Sequence, residues 1–333
     1  MREAMFYDKL DNNKVRCNIC ARHCIIKDGE RGFCWNKENI NGVLYAVGYG
    51  KVCSLAIDPI EKKPLFHFYP TTQVVSLAIG GCNFRCLHCQ NWTISQFPPD
   101  KIPYREMTPE EVVNIAVNYN CPGISYTYTE PTVYYEFMYD TSIIAREKGL
   151  FNVMITNGYI EKEPLKALPV DAMNIDIKGN DEFYKKICKA RLEPVLETCK
   201  LAKKLGIWVE ITNLIVPGYN DNIDDLLFII HFVRDELGRE TPLHFSRFHP
   251  DYKLTDVPPT PIGTLEMARN LALEEGLKYV YIGNVPGHEG ENTYCPNCGA
   301  LLIERYIFNA KIVNLDVETK RCKVCGEKID IVL

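Results

Sequence analysis

The sequence predicts an α/β protein built on an open, partial barrel, flanked at both ends by cysteine-rich segments. Three observations predict it. From residue 74 onward, short apolar runs alternate with longer stretches of helical character, the pattern of a parallel sheet covered by helices. Six or seven such units occur, fewer than the eight that close a complete barrel. The 15 cysteines of the 333-residue chain fall mostly into three groups. A flat, doubly wound sheet is the alternative architecture. Both place chemistry at the carboxyl ends of the strands.

Each element has its own signal. "VVSLAIGG" (74–81) reads as a buried strand, an apolar run ended by glycines. "TPEEVVNIAVNYN" opens a helix on Thr108, with Glu111 three residues later completing a capping-box pattern. "GISYTYTEP" follows as strand, then "TVYYEFMYDTSIIAREKGL" as helix with its stop at Gly149. "FNVMITNG", "AMNIDIKG", "IWVEITNLIVPG" and "LHFSRFHP" read as further strands. "DEFYKKICKARLEPVLETCKLAKKLG" and "NIDDLLFIIHFVRDELG" are helical stretches between them, and "TPIGTLEMARNLALEEG" leads to the last strand, "KYVYIG". The core so defined spans 66–287. Residues 1–65 carry the first cysteine group and a hairpin, "GVLYAVGYGKVCSLAI"; residues 288–333 carry the last group and β-like runs such as "LLIERYIF".

Composition bounds the function. Hydrophobic residues make up 46% and charged residues 24%, as in globular proteins. Lys plus Arg number 38 against 43 Asp plus Glu, a net charge of −5 that argues against a nucleic-acid partner. The first residues lack the apolar core of a signal segment, and no run approaches the roughly 18 residues of a membrane span. A cytoplasmic protein without a membrane partner is expected. In that setting clustered thiols are metal ligands before they are disulfides. The groups are Cys17, Cys20, Cys24 and Cys34; Cys82, Cys86 and Cys89; and Cys295, Cys298, Cys322 and Cys325. Cys53, Cys121, Cys188 and Cys199 stand alone and read as small buried hydrophobes.

The middle group, in "IGGCNFRCLHCQNW" (79–92), is C-x3-C-x2-C followed by Gln90, unlike a ferredoxin run. Three thiolates can each hold one iron of a [4Fe–4S] cube and leave the fourth open. A vacant position separates catalytic from structural metal sites. "CNFRCLHC" resembles the signature of radical S-adenosylmethionine (SAM) enzymes, in which the amino and carboxylate groups of SAM chelate the open iron. The resemblance extends over residues 66–285 and implies a partial (β/α)6 barrel. His88 departs from it, since Tyr, Phe or Trp usually precedes the third cysteine; its ring is planar and can pack similarly.

The resemblance also implies SAM contacts. "TYTEPT" (127–132) lies where the family has Gly-Gly-Glu; the glycines are absent, but Glu130 remains to receive the SAM ammonium in a charge-assisted hydrogen bond. "ITNGY" (155–159) is similar to a SAM-contacting segment of glycyl-radical activating enzymes, implicating Thr156 and Asn157. "NIDIKG" (174–179) matches their D-x-K element, with Asp176 and Lys178 on one strand face. Lys178 would neutralise the SAM carboxylate, and Asp176 would hold a hydroxyl, ammonium or monovalent cation. His249 falls at the ribose position, and "IVPGYND" (215–221) resembles a strand-end loop of the same enzymes. Taken singly, each has a structural reading: an ion pair at a strand end, a helix cap, a core histidine, a turn. Their order along the chain favours catalysis. The implied chemistry is reductive cleavage of SAM to methionine and a 5′-deoxyadenosyl radical, fed by a one-electron donor such as ferredoxin or flavodoxin.

The outer groups differ. "YCPNCGALL" and "RCKVCGEKI" form two knuckles, a zinc-ribbon pattern preferred here over a rubredoxin-like iron site. The N-terminal C-x2-C-x3-C-x9-C suits a second iron–sulfur cluster, a zinc ion, or a site using only some of its thiols. With "DPIEKKPLFHFYP" (58–70) between, the chain resembles the AmmeMemoRadiSam-system radical SAM enzymes, relatives of pyruvate formate-lyase activating enzyme, and a protein partner is implied. The function expected is hydrogen abstraction from a peptide, protein or small molecule, with glycyl-radical activation as one specific form. The competing class is a non-catalytic, metal-stabilised module that binds RNA or protein. The acidic balance and the vacant cluster position weigh against it.

Overall fold

The computed structural model describes residues 1–333. A nine-stranded sheet forms its centre: β1 (Lys51–Pro59), β2 (Gln73–Ile79), β3 (Arg105–Glu106), β4 (Gly123–Tyr126), β5 (Phe151–Thr156), β6 (Ala172–Asp176), β7 (Trp208–Ile215), β8 (Leu243–Arg247) and β9 (Val280–Gly283). The spatial order is β9-β8-β7-β6-β5-β4-β2-β1-β3. Every neighbouring pair from β2 to β9 is parallel. Within this parallel part, β2 and then β4 to β9, the order follows the chain without reversing, whereas a doubly wound sheet reverses at a switch point. The edge strands β9 and β3 do not pair, so the sheet stays open.

One helix covers each parallel crossover: α1 (Pro109–Asn118), α2 (Tyr135–Glu147), α3 (Lys162–Ala167), α4 (Glu193–Lys204), α5 (Ile223–Phe232) and α6 (Ile262–Glu274). The Glu111 amide donates to Thr108 Oγ1 at 3.2 Å and the Thr108 amide to the Glu111 carboxylate at 2.8 Å, the capping box read from sequence. Such a cap contributes about 1 kcal/mol. Beyond α2, Gly149 takes φ 73° and its amide donates to Arg146.

The helical stretch from residue 181 is not continuous. A π-turn at Tyr184–Cys188 ends on left-handed Lys189 (φ 57°), and α4 restarts with Pro194 in its first turn. Carbonyls freed at Ile187 and Cys188 accept from the Leu87 and Arg85 amides at 3.1 and 3.0 Å. The break therefore seats the loop that carries Cys82, Cys86 and Cys89.

The N-terminal hairpin read over residues 42–57 is corrected. Val43–Ala46 pairs backwards with Lys37–Ile40 through Asn41 (φ 53°) and Gly42 (φ 79°), while Lys51–Pro59 runs on into the main sheet antiparallel to β2. An Asn-Gly pair is the favoured two-residue turn, because both positions need positive φ. The main sheet thus begins ahead of residue 66. At the other end, β10 (Leu301–Tyr306) and β11 (Asn309–Ile312) form an antiparallel hairpin. Leu302, Ile303, Leu315, Ile329 and Ile331 pack there against Phe66, Tyr279 and Tyr281. No helix is long and apolar enough to cross a membrane.

Candidate active site

A cavity of about 460 Å³ opens at the carboxyl ends of the parallel strands. Cys82, Cys86 and Cys89 line it from the loop after β2, Glu130 from the loop after β4, Thr156 and Asn157 from the end of β5, and Asp176 and Lys178 from the end of β6. Thr212 and Leu214 of β7 alternate inward, as the two-residue strand period requires. His249 is not among the lining residues. It is exposed, with Nδ1 3.0 Å from the Pro250 carbonyl. Ser246 of β8 lines the cavity instead.

The three sulfurs sit among polar groups. The Phe84 amide lies 3.3 Å and Asn157 Nδ2 3.9 Å from Cys82 Sγ, and Ser95 Oγ lies 3.1 Å from Cys89 Sγ. Burial pushes the Cys82 and Cys89 thiols above their ordinary range; a hydrogen bond with Cys188, then burial, does the same for Cys86. Such thiols stay neutral until a metal displaces the proton. Cys188 is fully buried behind Cys86 and does not line the cavity. Only the C-terminal cysteines bring all their ligand atoms within 4.8 Å of one another. The wider spacing here fits a polynuclear cluster, whose thiolates bind separate irons, better than a single ion.

Glu130 is the second feature. Its Oε1 accepts from the Thr132 amide (3.0 Å), Thr132 Oγ1 (2.6 Å) and Thr156 Oγ1 (2.7 Å), and its Oε2 from the Asn157 amide (2.8 Å). It also caps the short turn Pro131–Tyr134. Burial pushes its carboxyl up against these donors. Glu130 makes no ion pair, although it is only 2% exposed. Asp176 and Lys178 do pair, at 2.6 Å. Burial opposes a charged Lys178, yet Asp176 holds it well above the usual lysine range.

Sequence reading missed Lys63, which lines the cavity with its side chain 1% exposed. Its Nζ lies 2.7 Å from Asp58 and 4.4 Å from the centre of the Tyr128 ring. Although burial works against it, Lys63, Tyr128 and Lys62 hold the Asp58 carboxyl well below the usual range. "DPIEKKP" was the available signal. A buried network, also missed, lies toward the C-terminal hairpin. Glu210 accepts from the Phe66 and His67 amides at 3.0 and 2.8 Å and pairs with His244 at 2.7 Å. Ile307 and Phe308, between β10 and β11, reach the cavity wall.

The C-terminal cysteines form a second candidate site. Cys295 and Cys325 sulfurs are 3.6 Å apart, and those of Cys298 and Cys322 3.8 Å. A tetrahedral zinc with Zn–S of about 2.3 Å spaces its sulfurs by about 3.8 Å. Both knuckles share one backbone pattern: the Gly299 and Gly326 amides donate to the Cys295 and Cys322 carbonyls at 2.9 and 2.8 Å, each glycine at positive φ. The Glu327 amide pulls the Cys325 thiol down to about 6. Cys17, Cys20, Cys24 and Cys34 gather beside the loop after β2, packed against the main core.

Comparison with known proteins gives concordant likenesses. The sequence model of the Radical SAM superfamily matches residues 77–233. An uncharacterized protein of Methanocaldococcus jannaschii is 92% identical over 333 residues, all of both chains. The pyruvate formate-lyase 1-activating enzyme of Escherichia coli is 25% identical over 226 residues, 60% of this chain and 89% of that one. Streptococcus suis SuiB bound to S-adenosylmethionine shares the fold with a TM-score of 0.50 at 12% identity, over 63% of this chain and 52% of that one.

Proposed function

Because this chain belongs to the radical SAM superfamily and is an enzyme of that class, we propose that it cleaves SAM reductively at a [4Fe–4S] cluster held by Cys82, Cys86 and Cys89. The open sheet is then the family's partial (β/α)6 barrel. One observation carries the reading: three thiols, Cys86 buried and Cys82 and Cys89 half-buried, share one cavity wall with a cation-free buried carboxylate. Glu130 and Cys82 are close enough for the carboxylate charge to act on the thiol. A ligand with an amino-acid end suits that pair: its amino N–H groups would donate to Glu130, while the amino nitrogen and the carboxylate would chelate the metal.

When bound, the cluster supplies one electron to the SAM sulfonium, giving methionine and a 5′-deoxyadenosyl radical that takes hydrogen from substrate. The chain's own residues bind and orient. Thr132, Thr156 and the Asn157 amide fix the Glu130 carboxylate in place. Lys178 is the cation for the SAM carboxylate, and Asp176 the acceptor for a hydroxyl, ammonium or monovalent cation. Ser246 lines the cavity at the strand end where His249 was expected to meet the ribose, and takes that position in this reading. Apolar strands beneath the cavity exclude water from the reacting groups. Cys295, Cys298, Cys322 and Cys325 hold zinc as a structural ion.

The substrate is a peptide, protein or small molecule, and the likeness to an activating enzyme favours a protein, with glycyl-radical formation as the specific form. An external one-electron donor such as ferredoxin or flavodoxin completes the reaction. The test is anaerobic reconstitution with iron and sulfide, followed by reductant and SAM. 5′-Deoxyadenosine is expected from the wild type and not from folded Cys86→Ser protein. Cluster-loaded wild type that yields none overturns the proposal.

A further inference from the structure

We infer that Cys17, Cys20, Cys24 and Cys34 hold a second iron–sulfur cluster, not a zinc ion, and that it passes electrons toward the cysteine loop of the cavity. Its relay role rests on the radical SAM reading; the site itself does not.

The four thiols converge. Cys17 ends the strand Val15–Cys17, and its amide donates to the Cys24 carbonyl at 3.0 Å. Cys20 lies within Coulomb reach of Cys17, Cys24 and Cys34. Their spacing separates them from the C-terminal knuckles of the same chain. A lone tetrahedral ion needs sulfurs about 3.8 Å apart. The C-terminal set meets that condition and the N-terminal set does not. As with the cavity cysteines, no three of the N-terminal sulfurs all lie within 4.8 Å of one another. Packing alone does not account for them, since three of the four are only half-buried.

Charge supplies an independent observation. A cluster with four thiolate ligands is an anion, and burying one calls for nearby cations. Arg22 and Arg85 stand between the two thiol groups and pair with no carboxylate. Arg22 donates to the Asn83 and Lys189 carbonyls, and Arg85 to those of Cys82, Phe84 and Phe33. Their guanidiniums lie 3.9 and 4.0 Å from the centre of the Phe33 ring. Arg85 is within Coulomb reach of both Cys82 and Cys34. Two half-buried cations without counter-ions, set among seven thiols, fit anionic metal centres on both sides.

The groups also touch through backbone. A Cβ on Gly81 would meet the Cys34 carbonyl oxygen at 2.5 Å, and Asn36 Nδ2 donates to the Gly80 carbonyl. The route into the residue before Cys82 is therefore direct contact. In the transfer, an external one-electron donor loses one electron, the N-terminal cluster gains it and gives it up on the cavity side. No bond forms or breaks, and no proton moves.

The test uses the full chain, reconstituted anaerobically with iron and sulfide. A protein with Cys82→Ala, Cys86→Ala and Cys89→Ala combined should keep about four irons and four sulfides beyond the C-terminal metal, with an EPR signal unmoved by SAM. The wild type should hold about twice that number. Zinc without sulfide, or no metal, at the N-terminal thiols of the triple variant overturns the inference. A folded protein with Cys17, Cys20, Cys24 and Cys34 all changed to Ala should lose the fast phase of reduction by flavodoxin while keeping a SAM-responsive signal; an unchanged fast phase overturns the relay. If the triple variant keeps its cluster while the wild type shows no SAM-responsive signal, the radical SAM reading fails and the second site stands.

Discussion

Acidification from pH 7 to pH 5 should remove about 2 kcal/mol of folding stability through one side chain, His67. Nδ1 of this buried ring lies 2.7 Å from the Asp330 carbonyl, which can only accept, so Nδ1 carries the proton. Nε2 then accepts from the Tyr281 hydroxyl. Tyr281 accepts from Thr293 at 2.9 Å, and Thr293 from Arg305 at 2.7 Å. The chain of donors runs one way, from Arg305 to Asp330, and a second proton on the ring leaves the Tyr281 proton without its acceptor. Burial pushes the His67 pKa down to about 4, against about 6.5 for an ordinary histidine. Its folded pKa is the lower one, so below about pH 6.5 the unfolded chain binds a proton that the folded chain refuses, and stability falls until about pH 4. The assay is urea unfolding of wild type and His67→Gln protein at both pH values. The variant should lack this part of the pH dependence. Acid effects on the C-terminal metal are common to both proteins and cancel. An equal loss in both would refute the reasoning.

Further outcomes follow from single contacts. Glu130→Gln removes the charge proposed to meet the SAM ammonium; a hydrogen bond to a charged group contributes about 1.5–3 kcal/mol, so the SAM dissociation constant should rise about tenfold to a hundredfold by equilibrium dialysis. An unchanged constant contradicts the assignment. Cys188→Ala should keep the full iron content, because Cys188 lies behind Cys86 rather than on the cavity; loss of a cluster would make its sulfur the fourth ligand. Lys37→Met strands Glu136, paired with Lys37 at 2.5 Å with both side chains buried. That should cost about 3–5 kcal/mol in urea unfolding, and a cost of about 1 kcal/mol or less, as for a surface pair, refutes it.

What could be read from the chain was local. The capping box at Thr108, the glycine stops and the paired C-terminal knuckles depend on residues within a few positions of one another. Glu130, Thr156, Asn157, Asp176 and Lys178 were legible because a parallel sheet gathers its strand ends, so chain order alone brings them round one cavity. Lys63, Cys188 and His67 depend on distant pairings. Lys63 reaches the cavity because β1 lies antiparallel beside β2, and Cys188 meets Cys86 only because a helix breaks at a π-turn. His67 meets Tyr281 where the C-terminal segment docks on the sheet. The hairpin over residues 42–57 failed for another reason: its apolar residues alternate on both sides of a turn, and the stronger signal, Asn41-Gly42, lay just upstream.

The C-terminal hairpin has a consequence for how this protein discriminates. Ile307, a β-branched residue at φ 60°, and Phe308 stand on the cavity wall, carried by a hairpin that packs on Phe66, Tyr279 and Tyr281. Changes at that tip therefore reshape the mouth of the cavity without replacing Cys82, Cys86 or Cys89.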